Sequence, residues 1–231
     1  MIVFRTDDRE VHPPHRFADY RSTRLRAPLA RPIAWPHSPS ESTGPNFARR
    51  PPATREADLT AQHAGAPLGE RITVAGQLRD EDGLPLAGQL VEIWQANSAG
   101  RYAHPVDQHA APLDPNFSGA GRCLTDADGR YRFVTIKPGA YPWQNHANAW
   151  RPAHIHFSVF GPAFATRLVT QMYFPGDPLL ELDPIFHAVP EAARERLIAA
   201  FDLASTTPDW ALGYRFDVVL RGRAATPGGP P

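Results

Sequence analysis

One cysteine, Cys123, in 231 residues excludes an internal disulfide, and a single sulfur cannot build a thiolate metal site. That usage fits a reducing cytoplasm, which is the expected location. Net charge is missing as well. The 24 Lys and Arg are matched by 24 Asp and Glu, so no global field recruits nucleic acid or an anionic membrane surface. Small molecules or proteins are the partners to expect. No segment approaches the roughly 20 apolar residues of a membrane-spanning helix. The opening MIVFRTDDRE lacks the apolar centre of a secretory signal, so a soluble, intracellular chain is expected. The zinc patterns H-E-x-x-H and C-x-x-C are also absent, so any metal must use other ligands.

What is abundant is proline, 26 residues in all. Many fall before residue 70, in HPPH, RAPLARPIAWP and RRPP, without a period of 2 or 3.6. Residues 1–69 therefore read as an extended arm lying on the core or on a partner, and 70–231 as the folded domain. From Arg71 the segments RITVAGQL, GQLVEIWQ, RYRFVTI, AHIHFSVF, RLVTQMYF and YRFDVVL are short, β-branched and aromatic, bounded by Gly, Pro, Asp and Asn. They predict an all-β fold, an antiparallel β-sandwich with long loops and one or two short helices. DEDG at 80–83 and DADG at 126–129 read as tight hairpin turns, and as calcium loops they lack the remaining ligand positions. A helix is predicted after Pro190 in EAARERLIAAFDL, with Ala193, Leu197, Ile198 and Phe201 on one side, and the terminal ATPGGPP reads as frayed.

The chemistry concentrates in WRPAHIHFSVF, residues 150–160. On a strand His154 and His156 share a face, whereas on a helix residues two apart diverge by about 200°, so H-x-H chelates one ion only in extended structure. Ala153, Ile155 and Phe157 then form the opposite, apolar face, and Pro152 suits a strand start or an edge. By itself the pair could equally be two histidines on a wet sheet face. Two tyrosines lie near in sequence: Tyr141 in KPGAYPW and Tyr102 in NSAGRYAH. A phenol is neutral at its ordinary pKa of about 10, but a hard trivalent cation can deprotonate it, and two tyrosinates with two imidazoles suit ferric iron. Tyr131 lies inside a strand with Phe133 and Thr135 and reads as packing. The other eight histidines, His104 and His146 included, read as loop or surface residues.

The runs LVEIWQANSAGRYAH, APLDPNF, GRCLTDADGRY, TIKPGAYPWQN, WRPAHIHFS, QMYFPGDP and YRFDVVLRG resemble the intradiol ring-cleavage dioxygenases. Within that family they are nearest the iron-bearing β subunit of the protocatechuate branch, and the arm segments ADYRST and SESTGPNF share the likeness. The resemblance implies a non-haem Fe(3+) held by Tyr102, Tyr141, His154 and His156, with Tyr141 and His156 axial and Tyr141 doubling as a base. It makes Arg151 the guanidinium that stabilises negative charge on the ring and Gln171 an orienting amide. Trp143 becomes an aromatic wall, and Tyr20 the arm residue that reaches a substrate carboxylate. It implies cleavage of 3,4-dihydroxybenzoate by O2 between its hydroxyl-bearing carbons, giving 3-carboxy-cis,cis-muconate. It also implies a homologous α subunit and an assembly of α-β pairs. Catechol or hydroxyquinol as substrate, or a catalytically silent subunit, are the alternatives; a β-sandwich that only binds a partner would leave the tyrosines unexplained. The sequence departs from the family in RPIAWPHSPSEST, RRPPATREADL and PAFATRL, which bears on the carboxylate site and the assembly more than on the metal.

Overall fold

The computed structural model describes residues 10–33, 38–39, 43, 51–163 and 166–229; most of SESTGPNF and part of PAFATRL lie outside them. Among the described residues the strands are β1 (Arg71–Arg79), β2 (Leu90–Trp94), β3 (Ala120–Leu124), β4 (Arg130–Ile136), β5 (Tyr141–Pro142), β6 (Trp150–Arg151), β7 (His154–Val159), β8 (Leu168–Tyr173), β9 (Ala200–Phe201), β10 (Leu212–Arg215) and β11 (Val218–Val219).

One sheet runs β3-β2-β7-β8 and is antiparallel throughout. The other is mixed, which corrects the wholly antiparallel expectation. β1 pairs antiparallel with β4 but parallel with β10 and β11. β10 and β11 follow one register along β1, interrupted opposite Gly76, where a Cβ would strike the Phe216 carbonyl. The inner faces meet in one apolar core: Ile72 and Val74 from β1, Val91 and Ile93 from β2, Phe133 from β4, and Ile155, Phe157 and Val159 from β7. Burying side chains of this size stabilises by about 1.5–3 kcal/mol each, which fixes the register of β7 and hence the side on which its histidines stand.

Both Asp-Gly turns form, with Gly83 and Gly129 at positive φ. DEDG folds the chain back so that Leu86 N–H donates to Leu78 O (3.0 Å). DADG is not a hairpin within a sheet: it carries the chain from β3 in one sheet to β4 in the other. The expected helix after Pro190 is shorter than its pattern. It runs Glu191–Arg194, tightens to a 3-10 turn at Glu195–Leu197 and gives way to β9. Pairing of Phe201 with Tyr214 and of Ala200 with Arg215 takes those residues out of the helix, and Phe201 ends half exposed. The tail is not frayed as far as residue 229. Ala225 and Thr226 are buried, and Gly229 N–H donates to Val169 O (2.8 Å).

Two residues before position 70 join the buried clusters. Leu59 is fully buried among the sheet residues, held where its N–H donates to Val134 O (2.8 Å). Val11 joins a second cluster with Tyr173, Leu180 and Phe186.

Candidate metal centre

Cross-strand register assembles the site. Trp94 stands opposite His156 across β2 and β7, His156 opposite Gln171 across β7 and β8, and His154 opposite Tyr173. Residues directly opposite share a sheet face, so one row of side chains carries Trp94, His156 and Gln171. The short ribbon β5-β6 sets Tyr141 opposite Arg151.

Each histidine is oriented by a neighbour. His154 Nδ1 lies 2.7 Å from Pro152 O; a carbonyl can only accept, so Nδ1 carries the proton and Nε2 keeps its lone pair. The His156 ring stacks on Trp94, with centroids 4.8 Å apart and planes 2° from parallel. The two imidazoles meet edge to face at 4.8 Å. Their Nε2 atoms point at phenols: His154 Nε2 is 3.3 Å from Tyr141 Oη and His156 Nε2 is 3.1 Å from Tyr102 Oη. The two tyrosine rings meet edge to face at 5.5 Å.

Two loops bring those phenols together, and Asn97 ties them. Its Oδ1 accepts from Ala99 N–H (3.0 Å) and Arg101 N–H (2.9 Å), shaping the turn before Tyr102. Its main-chain oxygen accepts from Gly139 N–H (2.9 Å), just before Tyr141. Gly100, at φ +78°, presses on the Ala140 carbonyl so closely that a Cβ would overlap it. Glycine is needed there on both counts. Asp107 Oδ2 then accepts from Tyr102 N–H (2.8 Å).

Burial dominates the electrostatics. It keeps both imidazoles neutral, helped by the Arg151 charge, and pushes His156 down to about 3; His154 is also well below its ordinary value. Burial likewise holds the protons on Tyr102 and Tyr141, raising both phenols. Without a cation the site is thus two neutral imidazoles, the His154 Nε2 with its lone pair outward, facing two phenols that keep their protons. Among the described residues no group of three or more His, Cys, Asp or Glu could hold an ion, so any centre here depends on the phenols.

Arg151 is buried beside this set. Its Nε lies 3.2 Å from Asp183 Oδ1, and its second amino group bonds Gln171 Oε1 and Tyr173 Oη (3.2 Å). Tyr173 Oη is 2.9 Å from Gln171 Oε1 and 3.2 Å from Asp183 Oδ2. Desolvation opposes the guanidinium charge, but Tyr173 and Asp183 more than offset it, so its pKa is raised. The guanidinium sits 5.4 Å from the Trp143 ring, and Trp143 lies 5.4 Å from the Tyr20 ring. Trp143 Nε1 is buried and has no hydrogen-bond partner among the described residues.

The structure therefore brings together Tyr102, Tyr141, His154 and His156, with Arg151 and Gln171 bonded alongside and Trp143 and Tyr20 next to them. Tyr131 is in the core, its hydroxyl bonded to Phe216 O, and His104 and His146 are exposed. Sequence pattern did not point to Trp94, Tyr173 or Asp183. Trp94 had a signal, as the last residue of the strand LVEIW; Asp183, 32 residues from Arg151, had none.

A family model described as Dioxygenase matches residues 42–222, and one described as Protocatechuate 3,4-dioxygenase beta subunit N terminal matches residues 4–38. The protocatechuate 3,4-dioxygenase beta chain of Burkholderia cepacia is 60% identical over 218 residues, covering 94% of this chain and 93% of that one. Hydroxyquinol 1,2-dioxygenase of Rhizobium sp. (strain MTP-10005) is 35% identical over 144 residues, 58% of this chain but only 45% of its own length. Among solved structures, the dioxygenase domain of a carbohydrate-binding fusion from Streptomyces sp. SirexAA-E superposes with a TM-score of 0.52 at 29% identity, covering 71% of this chain and 86% of that one.

Proposed function

The chain belongs to the dioxygenase family, and from that premise we propose that it is the catalytic, iron-holding subunit of a protocatechuate 3,4-dioxygenase. The reaction is 3,4-dihydroxybenzoate plus O2 to 3-carboxy-cis,cis-muconate, both oxygen atoms entering the product. The observation that carries this reading is the convergence of Tyr102, Tyr141, His154 and His156, with each Nε2 within 3.3 Å of a phenol oxygen. Neutral imidazoles and phenols that ionise only against a strong positive charge fit a ferric ion better than zinc or calcium. Ferric iron held by Tyr102, Tyr141, His154 and His156 would supply Lewis acidity toward a catecholic diol and electronic coupling between its ring and O2.

The chain's own residues would do the rest. Tyr141, ionised when the ion is held, would accept a phenolic proton of the diol at its Oη. Arg151, fixed by Asp183 and Tyr173, holds a positive charge beside the ring where negative charge develops. Gln171, bonded to Arg151, sits in the same cross-strand row as His156 and orients the substrate. Trp143 offers a flat wall, and its unpaired Nε1–H a donor for a substrate oxygen. Tyr20, on the arm beside Trp143, would reach a ring carboxylate. The division into arm, 1–69, and catalytic sandwich, 70–231, follows the same reading.

The B. cepacia relative is called a beta chain, which supports an α-type partner and an assembly of α-β pairs. Among the described residues no helix is long and apolar enough to cross a membrane. The Cys123 thiol, pushed up to about 12 by burial, is suited to remaining reduced in the cytoplasm. The test is to add ferric iron to the purified chain, alone and co-expressed with an α-type subunit. A red, charge-transfer-absorbing protein that consumes O2 with 3,4-dihydroxybenzoate supports the reading. A fully iron-loaded but colourless protein would remove it, and faster turnover of catechol or hydroxyquinol would move the substrate assignment.

A further inference from the structure

The arm reaches the site's wall through one buried amide. Asn145 lies two residues beyond Trp143 on the same loop and is 4% exposed. Its Oδ1 accepts from Arg21 N–H (2.9 Å) and its Nδ2 donates to Asp19 O (2.6 Å). The two bonds bracket Tyr20 as a neighbouring strand would, using the acceptor and the donor of one side chain. The turn they grip is closed from within by Thr23. Its hydroxyl accepts from Phe17 N–H (3.0 Å) and stands 2.7 Å from Tyr20 O. After the turn Leu25, Leu29 and Ile33 are exposed. The Tyr20 ring is left between Trp143, at 5.4 Å, and the Arg26 guanidinium, at 4.9 Å.

We propose that Asn145 is a positioning residue that sets where Tyr20 stands against Trp143, and through it the preference for a diol that carries a carboxylate. This rests on the reading of Tyr20 given above. Asn145 touches no reacting atom; it acts only through the arm. Aspartate in its place keeps the acceptor for Arg21 N–H but turns a second acceptor toward the Asp19 carbonyl, so it should loosen the turn as alanine does while preserving shape.

The test uses the iron-loaded assembly carrying Asn145→Ala, Asn145→Asp or Tyr20→Phe. In both Asn145 variants trypsin should cut after Arg21, Arg24 and Arg26 about tenfold faster than in the parent. The KM for 3,4-dihydroxybenzoate should rise about tenfold with kcat within about twofold, while the KM for catechol moves by less than about twofold. Iron content and colour should match the parent. A general loosening would raise both KM values together, and that result overturns the proposal. So does cleavage at the parental rate in both variants, or faster cleavage with the KM ratio intact. Tyr20→Phe separates the two claims. A raised KM there with parental KM in the Asn145 variants removes Asn145 alone, whereas a parental KM in Tyr20→Phe removes Tyr20 from the carboxylate.

Discussion

Asp183→Asn is the substitution that most directly tests how Arg151 is held. The two side chains are 4% and 0% exposed, and the guanidinium Nε and carboxylate Oδ1 are 3.2 Å apart. At an effective dielectric of about 20 such a pair attracts by roughly 5 kcal/mol, and losing one partner of a buried pair costs about 3–5 kcal/mol because the other charge stays buried. Asparagine keeps an oxygen that can accept from Ile185 N–H, the contact that starts the helix Pro184–Ala188, so the loss is chiefly that of the charge. A loss of about 3 kcal/mol lowers Tm by about 6–12 °C for a domain of this size. Asp183→Ala, which also loses the helix contact, should fall further. A double-mutant cycle isolates the pair. If Arg151→Gln is added, the double variant should lose less than the sum of the two single losses, with a coupling of about 1–3 kcal/mol read from thermal melts of the purified assembly. Should Asp183→Asn melt within 2 °C of the parent, or the two losses simply add, Arg151 is not held by this carboxylate.

Other consequences can be checked independently. Trp94→Ala removes the half-buried ring stacked on His156 and should cost about 1.5–3 kcal/mol in a melt and speed iron loss to a chelator; chelation at the parental rate would mean the stack does not orient the imidazole. Gly100→Ala places a methyl against the Ala140 carbonyl at a φ of +78°, so the tyrosine loops must part; the β-sheet circular dichroism should persist while the visible colour is lost, and a fully coloured variant would contradict the role given to this contact. In the metal-free protein His156 titrates at about 3 against about 6.5 unfolded, so the unfolded chain binds the extra proton and stability falls as pH drops below about 6.5. The urea midpoint of metal-free protein should therefore decline from pH 7 to pH 5, and a flat profile, or one unchanged by His156→Gln, would show that this imidazole is not held neutral. Ferric iron uptake at pH 7 should release protons from Tyr102 and Tyr141, whose phenols burial keeps protonated, and a pH-stat that records no release would exclude them as ligands.

How much of this could be read from the chain follows the range of each interaction. The period-2 alternation of AHIHFSVF put His154 and His156 on one face and Ile155 and Phe157 on the other, and β7 has that arrangement because apolar burial on one side leaves the imidazoles the other. Tyr102 and Tyr141 were suggested by their closeness in sequence and by the donors a hard trivalent cation favours, but with Tyr102 in a loop and Tyr141 in the two-residue strand β5 no period placed either, so only the family likeness specified them as a ligand set. The helix after Pro190 was misjudged because its later residues satisfy their backbone bonds better in β9 against β10. The parallel pairing of β1 was unreadable, because Ile72 and Leu212 meet at 140 residues' separation.

Local pattern, then, determined the β architecture, the turn positions and the shared face of the histidine pair, since these depend on backbone geometry and on apolar burial within a few residues. Tertiary structure alone decided that Asp183 grips Arg151, that Trp94 backs His156, that Asn97 links two loops and that Asn145 holds the arm. Each of those is a directional bond or ring contact between distant segments, and its strength depends on ångström-scale placement and exclusion of water, which exist only once both sheets and the arm have packed.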